Sequence, residues 1–227
     1  MPMKRSHAWD LTPSDAIALQ KQWAGYVDTT DRFGEVSSVA GVDVGFENNG
    51  EVTRAAIVVL AYPSLTLIDS ALIKQPTRYP YIPGLLSFRE LPGVLAAYDC
   101  LQQKPDLILC DGQGTAHPRL FGIACHLGVW LDVPTIGVGK TRLCGVHEQV
   151  PNEKGAWVPL QLPATKTRAQ QNIGAVLRTR EGVKPIYVSP GHRVSLSSSV
   201  EWVMNCITRY KLPETTRAAH HLASNMK

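Results

Sequence analysis

Between Val36 and Lys74 the chain offers three strand-length apolar runs joined by connections too short to hold a helix. The runs are Val36 to Phe46, Val52 to Tyr62 and Leu65 to Lys74, with Asn48-Asn49-Gly50 and then Pro63-Ser64 turning the chain between them. Strands joined so briefly must pair antiparallel, because a parallel pair needs a crossover of a dozen or more residues. The first half is therefore constrained to a meander.

The second half has a different rhythm. A loop rich in Pro, Tyr and Gly (75–86) leads to an expected helix over 89–103. A strand over 106–111, a helix over 118–131 and a strand over 134–138 then alternate, a βαβ pattern that implies parallel pairing through a right-handed crossover. Upstream, Thr12-Pro13-Ser14-Asp15 opens a helix ending by about Asp28, with Ile17, Leu19 and Trp23 on or near its packing face. Residues 143–190 read as short strands with polar loops, and 196–209 as a helix with Val200, Val203 and Ile207 inward. A polar helix is expected over 214–227. The expected fold is α/β: a mixed sheet of antiparallel meander plus parallel strands, helices on both faces, first and fourth strands adjacent. At 227 residues the chain can bury a full core as one domain, 1–227.

Composition excludes several classes. No apolar run approaches the roughly 18 residues needed to cross a membrane. The basic start, Met1-Pro2-Met3-Lys4-Arg5-Ser6-His7, is not followed by an apolar signal core, so a cytoplasmic protein is expected. The five cysteines, Cys100, Cys110, Cys125, Cys144 and Cys206, form no Cys-x-x-Cys pair and read as reduced thiols rather than a zinc site. A net charge of +4 is compatible with a nucleic-acid partner without demanding one.

The chemistry starts from misplaced charge. Asp43 lies inside the apolar run Val39-Ala40-Gly41-Val42-Asp43-Val44, and Asp111 closes Leu107-Ile108-Leu109-Cys110 before a glycine-rich turn. A buried carboxylate needs a cation or a positive side chain. Each alone also reads as a strand-end or turn aspartate. Glu90, near the start of a helix, either complements the helix dipole or points across the strand ends as a third acid. Three hard carboxylates suit Mg²⁺ or Mn²⁺, ions that activate water and stabilise a leaving oxygen in phosphodiester hydrolysis. Lys140 ends the strand beside Asp111 and is either solvated or a point charge for a phosphate. His117, before Pro118, fits a helix cap or a role at substrate or metal. Gly137-Val138-Gly139-Lys140-Thr141 is not a P-loop, since the required earlier glycine is Pro134. In Arg78-Tyr79-Pro80-Tyr81-Ile82-Pro83-Gly84, prolines and glycine stiffen a loop that either folds onto the core or displays Tyr81 to wedge into a base stack.

These pieces resemble endonuclease V, the inosine-directed nuclease family. The matching segments are Val42-Asp43-Val44, Tyr79 to Gly84 through Phe88-Arg89-Glu90, Asp111-Gly112-Gln113-Gly114 with His117-Pro118, Gly137-Val138-Gly139-Lys140, Ser189-Pro190-Gly191-His192 and Thr216-Arg217-Ala218-Ala219-His220. The resemblance implies an RNase H-like fold and Mg²⁺-dependent cleavage of deoxyinosine DNA, with Mn²⁺ substituting, at the second phosphodiester 3′ to the lesion. It implies Asp43, Glu90 and Asp111 as metal ligands, Lys140 and His220 as further catalytic residues and Tyr81 as the wedge. Pro83, Gly84, Arg89, Gly114, His117, Gly139 and His192 fall in matching segments and are expected at the DNA. Inosine RNA and single-stranded DNA are further expected substrates, and a monomer the expected state. Gln113 stands where many members have histidine, and Thr215 where many have proline. A non-catalytic nucleic-acid-binding module and a structure-directed nuclease of the same fold are the alternatives.

Overall fold

A computed structural model describes residues 6–165 and 169–224. Among the described residues eight strands form one sheet in the order β3-β2-β1-β4-β5-β8-β7-β6. The meander is as expected: β1 (Ser38–Glu47) pairs antiparallel with β2 (Val52–Ala61), and β2 with β3 (Leu67–Pro76). Asn48, Asn49 and Gly50 all take positive φ in the first turn, a conformation their side chains tolerate. The centre is parallel, β1 against β4 (Leu107–Asp111) and β4 against β5 (Thr135–Gly139). The remaining strands, β6 (Trp157–Leu162), β7 (Gln171–Leu177) and β8 (Ile186–His192), return antiparallel from β5.

Helices cover both faces because the central strands are apolar on both. On one face α2 (Leu86–Cys100) and α3 (Ile123–Leu131) bury Leu91, Val94 and Leu127 against Val42, Ile57 and Ile108. On the other, α4 (Leu196–Asn205) and α5 (Glu214–Ser224) set Val200, Val203 and Ala219 on Val39, Leu107 and Ile136. The N-terminal α1 (Pro13–Trp23), capped by Thr12, buries Ala16, Gln20 and Trp23, whereas Ile17 and Leu19 are only partly buried.

Three expected boundaries move. The helix expected from Pro118 starts at Ile123, because Leu120 takes a left-handed φ and Gly122 is extended at the N-cap. The helix expected over 89–103 starts earlier, at Leu86, so Glu90 sits beyond its first turn. The expected 196–209 helix stops at Asn205, where Cys206 caps it. Of the expected tail helix, residues 225–227 lie outside the described residues.

Candidate active site

Register brings the two strand acids together. Val42 of β1 pairs with Cys110 of β4, so Asp43 and Asp111 are the next step of adjacent parallel strands, close enough for the charge of one to act on the other. Glu90 enters from α2 and faces both. Burial above all, then the charges of Asp43 and Asp111, push its carboxyl up to about 8. Burial and then Asp43 also raise Asp111, against the pull of Lys140. Lys140, just past the end of β5, pairs its Nζ with Asp111 Oδ2. Burial disfavours the ammonium, yet Asp111 and Asp43 outweigh it and hold Lys140 above its ordinary range.

His220 arrives by close packing. Gly41, Asp43 and Gly45 share one face of β1, and α5 lies directly on it. A Cβ at Gly41 would sit 1.9 Å from the Thr215 carbonyl oxygen, so only glycine lets the helix this near. His220 Nδ1 is then 2.7 Å from Asp43 Oδ2.

The acids open into a cavity of about 420 Å³ whose walls include Tyr81, Pro83, Gly84, His117, Gly139 and Lys140. Tyr81 is 70% exposed on its lip. The loop beneath it is fixed through one carbonyl: Gly84 O accepts from Gln20 Nε2 (3.0 Å), His117 Nε2 (3.1 Å) and Arg119 Nη2 (2.7 Å). Since His117 Nδ1 accepts from the Arg119 backbone N–H at 3.2 Å, its proton lies on Nε2. Burial first, then Arg119, lowers the imidazole to about 4, so it is neutral at ordinary pH. His117 therefore holds the loop as well as lining the cavity. Arg89 is another support, donating to Tyr79 O and Gly50 O with its guanidinium 4.4 Å over Phe46, and it lies outside the acidic cavity.

Two other expected residues stand elsewhere. Gly114 does not line the cavity but packs behind it, where a Cβ would lie 2.0 Å from Pro190 O. His192 pairs with Thr135 at the opposite end of β5 from Lys140. It is buried there, accepting from the Asp28 N–H at 3.2 Å and 3.4 Å from Asp132, and takes no part in the cavity. Gly139, by contrast, is in the wall, and a Cβ on it would strike the Gln113 amide, which donates to Thr141 O. Gln20, Arg119 and Gln113 are supporting residues that the sequence reading did not single out as site residues. Gln113 had a signal, standing in the Asp-Gly-x-Gly turn where many family members have histidine, and Gln20 had one in its helical spacing between Ala16 and Trp23.

Among the described residues no group of three or more His, Cys, Asp or Glu side chains already encloses a metal position. The donor set nevertheless suits a hard divalent cation: three carboxylates face one cavity, and a cation between them would offset both the burial and the mutual repulsion that raise Glu90 and Asp111.

The described sequence family endonuclease V matches residues 21–221. The endonuclease V of Trichormus variabilis is 52% identical over 226 residues, covering 99% of this chain and all of that protein. The chain belongs to the endonuclease V family. The crystal structure of the Streptomyces avermitilis endonuclease V superposes with a TM-score of 0.88 at 40% identity, over 96% of this chain and 93% of that one. That of the Ciona intestinalis endonuclease V, in complex with a 23mer DNA containing an inosine followed by a ribo-adenosine, gives 0.78 at 26% identity over 94% and 97%. The sheet and its flanking helices are thus the RNase H-like arrangement expected from the sequence. No described helix is long and apolar enough to cross a membrane.

Proposed function

We propose that this endonuclease V family member is a Mg²⁺-dependent, cytoplasmic DNA repair endonuclease. It recognises deoxyinosine and hydrolyses the second phosphodiester 3′ to it, leaving 3′-hydroxyl and 5′-phosphate ends. The observation that carries the reading is the meeting of Asp43, Glu90, Asp111 and Lys140 in one cavity whose lip displays Tyr81. Family membership supports it, as does the inosine-containing DNA held by the Ciona relative.

Asp43, Glu90 and Asp111 are the residues that would hold Mg²⁺, with Mn²⁺ as a substitute. Bound there, the ion supplies water activation and stabilisation of the leaving oxygen. Lys140, kept charged by its acidic neighbours, is a point charge for the scissile phosphate. His220 orients Asp43 through its 2.7 Å hydrogen bond. Tyr81, on a loop fixed at Gly84, enters the stack as the lesion turns into the cavity. Gly84, Gly112 and Gly122 bring peptide groups to the cavity wall, where guanine's 2-amino group would clash and adenine would present the wrong donors. Single-stranded DNA and inosine RNA are further substrates of the same cavity, and the protein acts as a monomer.

The test is an end-labelled duplex carrying one deoxyinosine, incubated with Mg²⁺ or chelator. The reading requires a single Mg²⁺-dependent cut one nucleotide 3′ of the lesion nucleotide's own 3′ neighbouring bond, absent on the matched adenine duplex. Equal cutting of both duplexes, or of branched DNA regardless of inosine, would contradict it. Tyr81→Ala should weaken duplex cutting strongly while single-strand cutting holds.

A further inference from the structure

The Tyr79–Leu85 loop and the first turns of α2 form a partition with a cavity on each side. Tyr81, Pro83, Ser87 and Glu90 face the acidic one. Trp9, Asp10, Arg78, Tyr79 and Arg89 line a second, of about 440 Å³, on the reverse.

The second cavity has unspent chemistry. Arg78 is exposed and Arg89 half-buried, and Arg89 reaches only carbonyls and the Phe46 ring. Asp10 is the one acid in the wall, and among the described residues neither it nor either arginine enters an ion pair. Tyr79, in the same wall, is buried with its hydroxyl unpartnered. Trp9 packs on His7, His126 and Trp130 at 4.5, 5.3 and 4.9 Å between ring centroids and is half-buried, so only the remaining part of its indole stays open. The exposed Arg78 guanidinium, the positive charge of Arg89 behind it and a partly open indole suit one ligand class, an aromatic base carrying a phosphate.

We propose that this second cavity receives a nucleotide of the strand opposite the lesion. The inference rests on the proposed function: a duplex opened on the edge of the partition, with Tyr81 in the stack, sends one strand to each side. It deepens that reading by giving the partner strand its own site. A single-stranded substrate has nothing to place there, so the cavity serves duplexes alone.

Fluorescence anisotropy with chelator present tests this, using one labelled inosine strand alone or annealed, and an inosine-free duplex beside it. Arg78→Gln changes an exposed side chain and Trp9→Leu a half-buried one, so the first stands even if the second disturbs packing. Both should weaken duplex binding about five- to tenfold, the lower range for a base stacked on an aromatic side chain, and leave single-strand binding unchanged. Replacing the nucleotide opposite inosine by an abasic one should weaken wild type similarly and add nothing to Trp9→Leu. Equal weakening on single and double strands, or none in Arg78→Gln, would overturn the proposal. Because the comparison is made on binding without metal, it stands or falls separately from inosine cleavage.

Discussion

Glu90 shows most clearly what the site does to its residues. Its carboxyl is raised from an ordinary value of 4.5 to about 8, chiefly by burial. A raised acid binds its proton more tightly folded than unfolded, so it costs stability as pH climbs from 4.5 towards 8. Glu90→Gln should therefore raise the melting temperature by a few degrees at pH 8 in chelator and by little at pH 5, while abolishing metal-dependent cleavage. Differential scanning fluorimetry at both pH values checks this; a lower melting temperature at pH 8 would refute it. Lys140→Ala should cut kcat about 100-fold with inosine-DNA binding held, a loss typical of one transition-state charge contact. Rapid-quench single turnovers measure it, and a loss confined to binding would count against the assigned role. Asp43, Asp111 and Lys140 were legible in the sequence because each interrupts or ends an apolar strand. A motif match carries no direction, and the His192 side chain lies away from the cavity, spent on Asp28 and Asp132. Arg119 had no local signal, since its value lies in reaching Gly84, which is 35 residues away in the chain.

At the scale of elements, the site is set by how closely neighbours approach. The meander and the βαβ unit were readable from connection lengths, and with them the adjacency of β1 and β4 that pairs Asp43 with Asp111. The start of α3 was not, because Pro118 reads as a helix start and the left-handed Leu120 and extended Gly122 that delay it to Ile123 leave no mark in the sequence pattern. The seating of α5 was equally hidden. It depends on Gly41, where a side chain would meet the Thr215–Thr216 backbone. Gly41→Ala should push α5 off the sheet, costing about 2–3 kcal/mol as overpacking does. It should also lower activity beyond that loss, because His220 moves with the helix. Urea unfolding beside kinetics under fully folded conditions separates the two; an unshifted midpoint would show that the helix yields easily.

At the scale of the whole molecule, burial disfavours the charged form of a set of histidines. His117 is lowered to about 4, while His7, His126 and His192 are lowered too, in each case chiefly by desolvation. A depressed imidazole leaves the unfolded chain binding more protons between 6.5 and the folded value, so stability is complete above 6.5 and drains away below it. His117 alone accounts for on the order of 3 kcal/mol by pH 4. Urea midpoints should fall steeply from pH 6.5 to 4.5, and less steeply in His117→Gln; identical slopes would contradict the assignment. His126 contributes through its bonds to Ser87 on α2 (3.0 Å) and His7 (2.7 Å), which tie the N-terminal segment to the helix bearing Glu90. Acids from β1, α2 and β4 are proposed to form one cation centre on which cleavage depends. Mn²⁺ titration followed by electron paramagnetic resonance tests it most directly, with wild type, Asp43→Asn and Asp111→Asn assayed in parallel for inosine-duplex cutting. Wild type should remove the free Mn²⁺ signal and cut, and both variants should lose uptake and cutting together. Undiminished Mn²⁺ uptake in both variants would contradict it.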